Sequence, residues 1–216
     1  MSEIIQFITS QGVDVEMAYL ILSLPYLATL IAIFRQVIGI KSFGIYTPLA
    51  LAFAFWATGL KYGLAIFIII LATGTLVRYF LKNFTLLYIP RMAIVITAIS
   101  IATLAMLTVG GYMQKTALAS TSILAILILI TLIEKFISTQ VEKGFRTASL
   151  LSIETLIIST VCYYIVIWDK FRNLVLEHPE YILLLFIVNL LLGRWTGLRL
   201  SEYFRFKGVI NNAKNE

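Results

Sequence analysis

Residues 17–34 read MAYLILSLPYLATLIAIF, a run without one charged side chain. A helix needs roughly 20 apolar residues to cross a hydrocarbon core about 30 Å thick, so this run marks a membrane span over 17–37. Working outward, the same criterion marks further spans at 42–59, 62–81, 91–110, 117–136, 147–167 and 181–199. The stretches between them read as turns: Gly59-Leu60-Lys61, Asn83 to Pro90, Gly110-Gly111, Glu142 to Thr147 and Trp168 to Glu180. The expected fold is an all-α polytopic membrane bundle of about seven transmembrane helices.

Composition points the same way. Hydrophobic residues make up 60% of the 216 and charged residues 13%. Soluble domains carry roughly 45–50% and about 25%. Mean hydropathy is +0.95. Such a chain has too little polar surface to face water, which excludes a soluble enzyme. One cysteine, Cys162, and one histidine, His178, leave no intrachain disulfide and no Cys/His zinc spacing. The segment before the first span carries Glu3, Asp14 and Glu16 but no Lys or Arg, so it lacks the basic start of a secretory signal. We divide the chain into a short acidic tail (1–16), a transmembrane domain (17–199) and a basic tail (200–216).

Basic residues set the expected orientation. With the N-terminus outside, 13 of the 17 Lys and Arg fall on inner loops and the C-terminal tail. Only Lys61, Lys115, Lys170 and Arg172 fall outside. This asymmetry matches the positive-inside rule and requires an odd number of spans. The net charge of +6 is then a matter of topology, with no need for a nucleic-acid partner. The tail from Arg199 to Lys207 also suits anionic lipid heads.

The second span is irregular. Thr47-Pro48 has the form of a helix N-cap followed by a first helical position. A helix starting there leaves only Leu49 to Thr58, too few to cross, with Gly39 to Tyr46 as non-helical backbone at membrane depth. Such backbone needs protein or a wet cavity around it. The other reading, slightly preferred, is an ordinary helix from Ser42 kinked at Pro48. This candidate segment comprises Gly39, Ser42, Gly44, Thr47 and Pro48. Gly39-Ile40-Lys41-Ser42 and Gly144-Phe145-Arg146-Thr147 share a Gly, apolar, basic, hydroxyl order. Aligning them superposes spans one to three on five to seven, a parallel 3+1+3 repeat of the kind transporters use.

Glu154 is the acidic residue placed well inside a span, about 10 Å past Thr147 at 1.5 Å per residue. A carboxylate at that depth must be paired or protonated, so it is a functional candidate and equally a structural ion pair. Lys41, Arg78 and Arg91 lie toward the inner ends of their spans and are its candidate partners; Arg146 joins the same basic set. Ser152, Thr155, Ser159 and Cys162 form a small-residue stripe that reads as helix packing. Asn189, Gly193 and Gly197, at four-residue steps on the last span, read as a packing seam. Pro25 is expected to kink the first helix. His178 sits in an outer loop with no nucleophile to activate. No catalytic, metal-binding or cofactor motif is present.

Several stretches carry a family resemblance: Phe34-Arg35-Gln36-Val37-Ile38-Gly39-Ile40-Lys41-Ser42-Phe43-Gly44, Ile89-Pro90-Arg91, Glu142-Lys143-Gly144-Phe145-Arg146-Thr147, and Asn189-Leu190-Leu191-Leu192-Gly193-Arg194-Trp195-Thr196-Gly197. Across almost the whole chain it resembles the bacterial domain of seven transmembrane helices usually fused to an inactive transglutaminase. The resemblance implies an inner-membrane protein working beside an ATP-grasp peptide ligase and a retropepsin-like protein. The pattern is also similar to a small membrane subunit of poly-gamma-glutamate synthesis and export. The 16-residue N-terminal tail leaves no room for the transglutaminase-like domain, so any function of that outer domain is expected to come from a separate extracytoplasmic protein or to be missing. The expected role is a membrane accessory subunit for a peptide-like or polyanionic product, which anchors partners or assists export. The rivals are a pure scaffold and a standalone ion-coupled transporter using Glu154.

Overall fold

The computed structural model describes residues 3–81, 83–84, 87–112 and 123–194. Every element in them is helical: α1 (Glu3–Ser10), α2 (Val15–Ile33, continued by a π-helical turn at Phe34–Ile38), α3 (Tyr46–Thr58), α4 (Leu60–Leu81), α5 (Tyr88–Tyr112), α6 (Ile123–Lys143), α7 (Phe145–Val166), α8 (Asp169–Glu177) and α9 (Tyr181–Gly193). Five spans (α2 with its π turn, and α4 to α7) are long and apolar enough to cross a membrane. A sixth arises if α8 and α9, bent by 104° at their break, count as one crossing. The protein is a polytopic helical membrane bundle.

Three boundaries differ from those read in the sequence. Helix α3 starts at Tyr46 and not at Ser42, so the ordinary kinked helix is corrected to a short helix behind a non-helical lead-in. Its 13 residues rise about 20 Å, well short of the bilayer core. The fifth span is expected at 117–136; the described helix there runs Ile123–Lys143, and 113–122 lie outside the described residues. Apolarity marks where lipid ends, and a helix continues past that point through Gln140 and Glu142 until Gly144. The expected turn at Trp168 to Glu180 contains α8, and the acidic tail contains α1. Both are amphipathic and too short to be found by a search for apolar runs. Helix α2 passes through Pro25 without interruption.

The chain forms two compact units. The first comprises Met1–Leu49 and Ile157–Glu216, the second Ala50–Leu156. In the first, α2 is central and packs against α1, α8 and α9. Tyr19, almost fully buried, donates its hydroxyl to the Val166 carbonyl oxygen at 2.5 Å. Phe171 of α8 stands edge-on to Tyr19 and Tyr26, and the Arg172 guanidinium lies 5.4 Å from the Tyr19 ring centre. Arg172 also reaches Glu16 at 3.6 Å. In the second unit α4 packs against α5 and α6. The buried faces are Ile66, Phe67 and Ile70 on α4, Val95 and Ile99 on α5, and Leu129, Ile133, Phe136 and Ile137 on α6. These positions recur every three or four residues, as one face of a helix requires.

In each unit a helix from one half of the expected 3+1+3 repeat pairs with a helix from the other half, α2 with α9 and α4 with α6. The two aligned glycines do share a conformation, Gly39 at φ +89° and Gly144 at φ +85°. A left-handed glycine ends a helix without the penalty a Cβ would bring. The chain leaves the two glycines by different routes. Residues 39–45 are non-helical before α3, whereas α7 starts directly at Phe145.

Candidate functional site

Two places gather the polar residues that the sequence singles out. One is the lead-in to α3, in the first unit. The π-helical turn closes with the Gly39 and Ile40 amides donating to the Phe34 carbonyl, at 3.0 and 3.2 Å. Ser42 Oγ then donates to the Gly44 carbonyl and the Gly44 amide to the Ser42 carbonyl, both at 2.7 Å. Gly44 takes φ +89°, a value that L side chains rarely adopt. Thr47 is buried in the first turn of α3 and donates its hydroxyl to the Phe43 carbonyl at 2.8 Å. It therefore acts inside the helix and not as its N-cap. Pro48, also buried, occupies the first turn, where its missing N–H costs nothing. Lys41 is exposed beside this turn.

The other place is a cavity of about 530 Å³ in the second unit, lined by Thr75, Arg78, Tyr79, Leu81, Arg91, Gln140 and Phe145. It lies where α4 ends, α5 begins, α6 approaches its end and α7 begins, so four helix termini meet around it. Arg78 and Arg91 are close enough for their positive charges to repel. Arg78 Nη1 and Gln140 Oε1 are buried and have no hydrogen-bond partner among the described residues. Thr75 gives its proton to the Leu71 carbonyl at 2.8 Å, which leaves its oxygen free to accept. No carboxylate lines the cavity among the described residues. Chemically this is a site for an anion, since each guanidinium presents a planar fork of donors.

Of the residues expected to act together, the structure brings Arg78 and Arg91 into one cavity. Arg146 is exposed, one residue past Phe145 at its edge. Glu154 is half-buried near the middle of α7, engaged in a polar interaction, and does not line the cavity. Ser152, Thr155, Ser159 and Cys162 are all buried along α7. On the last helix, Asn189 Nδ2 donates to Thr29 Oγ1 at 2.8 Å, tying α9 to α2. Gly193 is exposed, and a Cβ there meets nothing within 4 Å among the described residues; Gly197 lies outside them. Gln140, Thr75 and Tyr79 escape the sequence reading, and Phe145 enters it only as the apolar position after Gly144. Gln140 falls beyond the apolar run that ends at 136, so apolarity alone places it in a loop. The signal is present, because Gln140 continues the Leu129, Ile133, Phe136 face at helical steps.

A family described as seven transmembrane helices usually fused to an inactive transglutaminase matches residues 3–210. The chain belongs to this family. No curated protein and no solved structure matches it. Among the described residues, five of the family's seven helices, or six with α8 and α9 as one bent span, are long and apolar enough to cross.

Proposed function

We propose that this family member is a membrane accessory subunit of a bacterial system that handles a peptide-like or polyanionic product, anchoring its partners or assisting export. The observation that carries the reading is the family match itself, since the domain is usually fused to an inactive transglutaminase. A fold that has lost catalysis yet stays attached to a membrane bundle is best explained as a binding module held at the bilayer. In this reading the membrane part holds and positions, and a transglutaminase-like protein and an ATP-grasp peptide ligase are its partners. The protein sits in the inner membrane with its N-terminus outside, as the basic-residue asymmetry favours. The arginine cavity then faces the cytoplasm. The outer end carries α1 and α8, and α8 is ordered against α2 by Phe171 and by the Arg172–Glu16 contact.

The test is a gentle-detergent pull-down of the tagged protein from its native cells, read by mass spectrometry. Recovery of a transglutaminase-like protein or a peptide ligase is the expected result. Recovery of the chain alone as a clean oligomer would overturn the accessory role and favour a standalone transporter. Orientation is tested separately in a Cys162→Ala background. An impermeant maleimide on intact spheroplasts should label Lys61→Cys at once, and Arg146→Cys only after permeabilisation.

A further inference from the structure

The arginine cavity does not stand alone. Thr75, Tyr79 and Phe145 line both it and a neighbouring groove of about 560 Å³, so the two hollows run together. The groove follows α4 back to Ile68, with Phe136 of α6 in its wall, and is almost wholly apolar. One molecule thus meets two chemistries. At one end are two guanidiniums with a buried, unpartnered Arg78 Nη1 and no carboxylate among the described residues. At the other end is a hydrocarbon-lined trough.

Its length fits one class of ligand. From Arg78 to Ile68 is ten residues, about 15 Å along the helix axis. That is about half of a 30 Å hydrocarbon core, the depth of one leaflet. Arg78 and Arg91 each lie within one turn of a helix end, at headgroup level. Tyr79 and Phe145, both more than half exposed, flank the mouth where membrane proteins place aromatic rings. Basic pockets between helices at this level suit anionic lipid heads.

We propose that the joined hollows hold one anionic phospholipid, its phosphate on Arg78 and Arg91 and one acyl chain lying along α4 from Tyr79 to Ile68. A zwitterionic head would bring an ammonium against the two guanidiniums, and a free phosphate would leave the groove unused. A second copy of the chain would have to bury its apolar helix against the arginines. The inference does not depend on the accessory role, since a transporter or a scaffold would hold the same lipid.

Native mass spectrometry of the full chain in neutral detergent tests it, with phosphatidylglycerol, phosphatidylcholine or inorganic phosphate added. One phosphatidylglycerol per chain should persist at concentrations where phosphatidylcholine is lost. Arg78→Gln and Arg91→Gln should each weaken retention about fivefold, the worth of one basic residue at a membrane surface. Ala72→Phe keeps both arginines and fills the groove, so it should weaken phosphatidylglycerol binding while leaving the fold intact by circular dichroism. If the Gln variants fail to fold, Arg78→Lys and Ala72→Phe still read the head and the chain separately. Equal retention of the two lipids would overturn the proposal. So would inorganic phosphate binding as tightly as phosphatidylglycerol, a soluble γ-glutamyl peptide displacing the lipid at equal concentration, or undiminished binding by a folded Ala72→Phe protein.

Discussion

Replacing Gly63 by alanine should destabilise the second unit, although alanine is the better helix former. Gly63 lies on the first turn of α4, just after the corner at Gly59. A Cβ added there would stand 2.5 Å from Phe55 Cδ1 and 2.7 Å from Thr58 Oγ1. Phe55 is fully buried and Thr58 nearly so, its hydroxyl held by the Ala54 carbonyl at 2.8 Å. Neither side chain has room to withdraw, so overpacking should cost about 1–3 kcal/mol. The gain in helix propensity offsets up to about 1 kcal/mol. With two contacts below 3.0 Å the overpacking falls toward the upper end of its range, so the net expectation is a loss of about 1–2 kcal/mol. Two other glycines calibrate it. At Gly74 the new Cβ would meet Ile133 Cγ2 at 3.0 Å, with Ile137 Cδ1 and Ile99 Cδ1 at 3.6 Å. Methyl groups yield by a few tenths of an ångström, so Gly74→Ala should fall near neutral. At Gly111 nothing among the described residues lies within 4 Å, so Gly111→Ala should be neutral or gain up to about 1 kcal/mol. SDS titration of the purified variants in mild detergent, followed by circular dichroism, ranks the three. A Gly63→Ala protein as stable as the parent would refute the packing of Phe55 and Thr58 against α4, and with it the α3–α4 corner.

Three further outcomes are expected. Asn189→Leu should cost about 0.6 kcal/mol, and at most about 1.7, by removing its donation to Thr29. A double-mutant cycle with Thr29→Val that shows no coupling would argue against this α2–α9 bond. Arg172→Gln should destabilise more than Glu16→Gln. The exposed ion pair is worth about 0–1 kcal/mol, whereas Arg172 also loses its cation–π contact with Tyr19; equal losses in the same SDS titration would remove the ring contact from the account. If the protein assists export, Glu154→Gln should abolish product release from cells at unchanged protein abundance by immunoblot. A parallel fall in abundance would mark Glu154 as structural.

The membrane spans were legible from single runs of residues because lipid imposes one strong rule. Nearly every residue of a span such as 17–34 must be uncharged and most must be apolar whatever they pack against, and the backbone must bond within its own helix. The packed faces were half legible. Leu129, Ile133 and Phe136 repeat at helical steps, but in a chain apolar on all sides the pattern does not say which face meets protein and which meets lipid. The α3 lead-in was visible as Gly39, Gly44 and Pro48, yet the choice between a kinked helix and a broken one depends on how the freed backbone groups are satisfied. That is settled by contacts such as Ser42 with Gly44 and Thr47 with Phe43. The helices α1 and α8 were missed because they lie outside the apolar runs, and α8 is ordered by side chains far away in sequence, as Phe171 is by Tyr26.

The sequence by itself determined that this is a helical membrane protein, where its chain meets lipid, and which family it belongs to. These properties arise from local composition, since solvent acts on each segment separately. Only the tertiary structure decided that α2 pairs with α9 and α4 with α6, and that Arg78, Arg91 and Gln140 line one cavity that shares Thr75, Tyr79 and Phe145 with an apolar groove. Such juxtapositions depend on which helix faces meet, and in a chain apolar on every side the linear pattern leaves many pairings equally apolar. Steric fit at residues such as Gly63 and Gly74, and the few polar groups that must find partners, select among them.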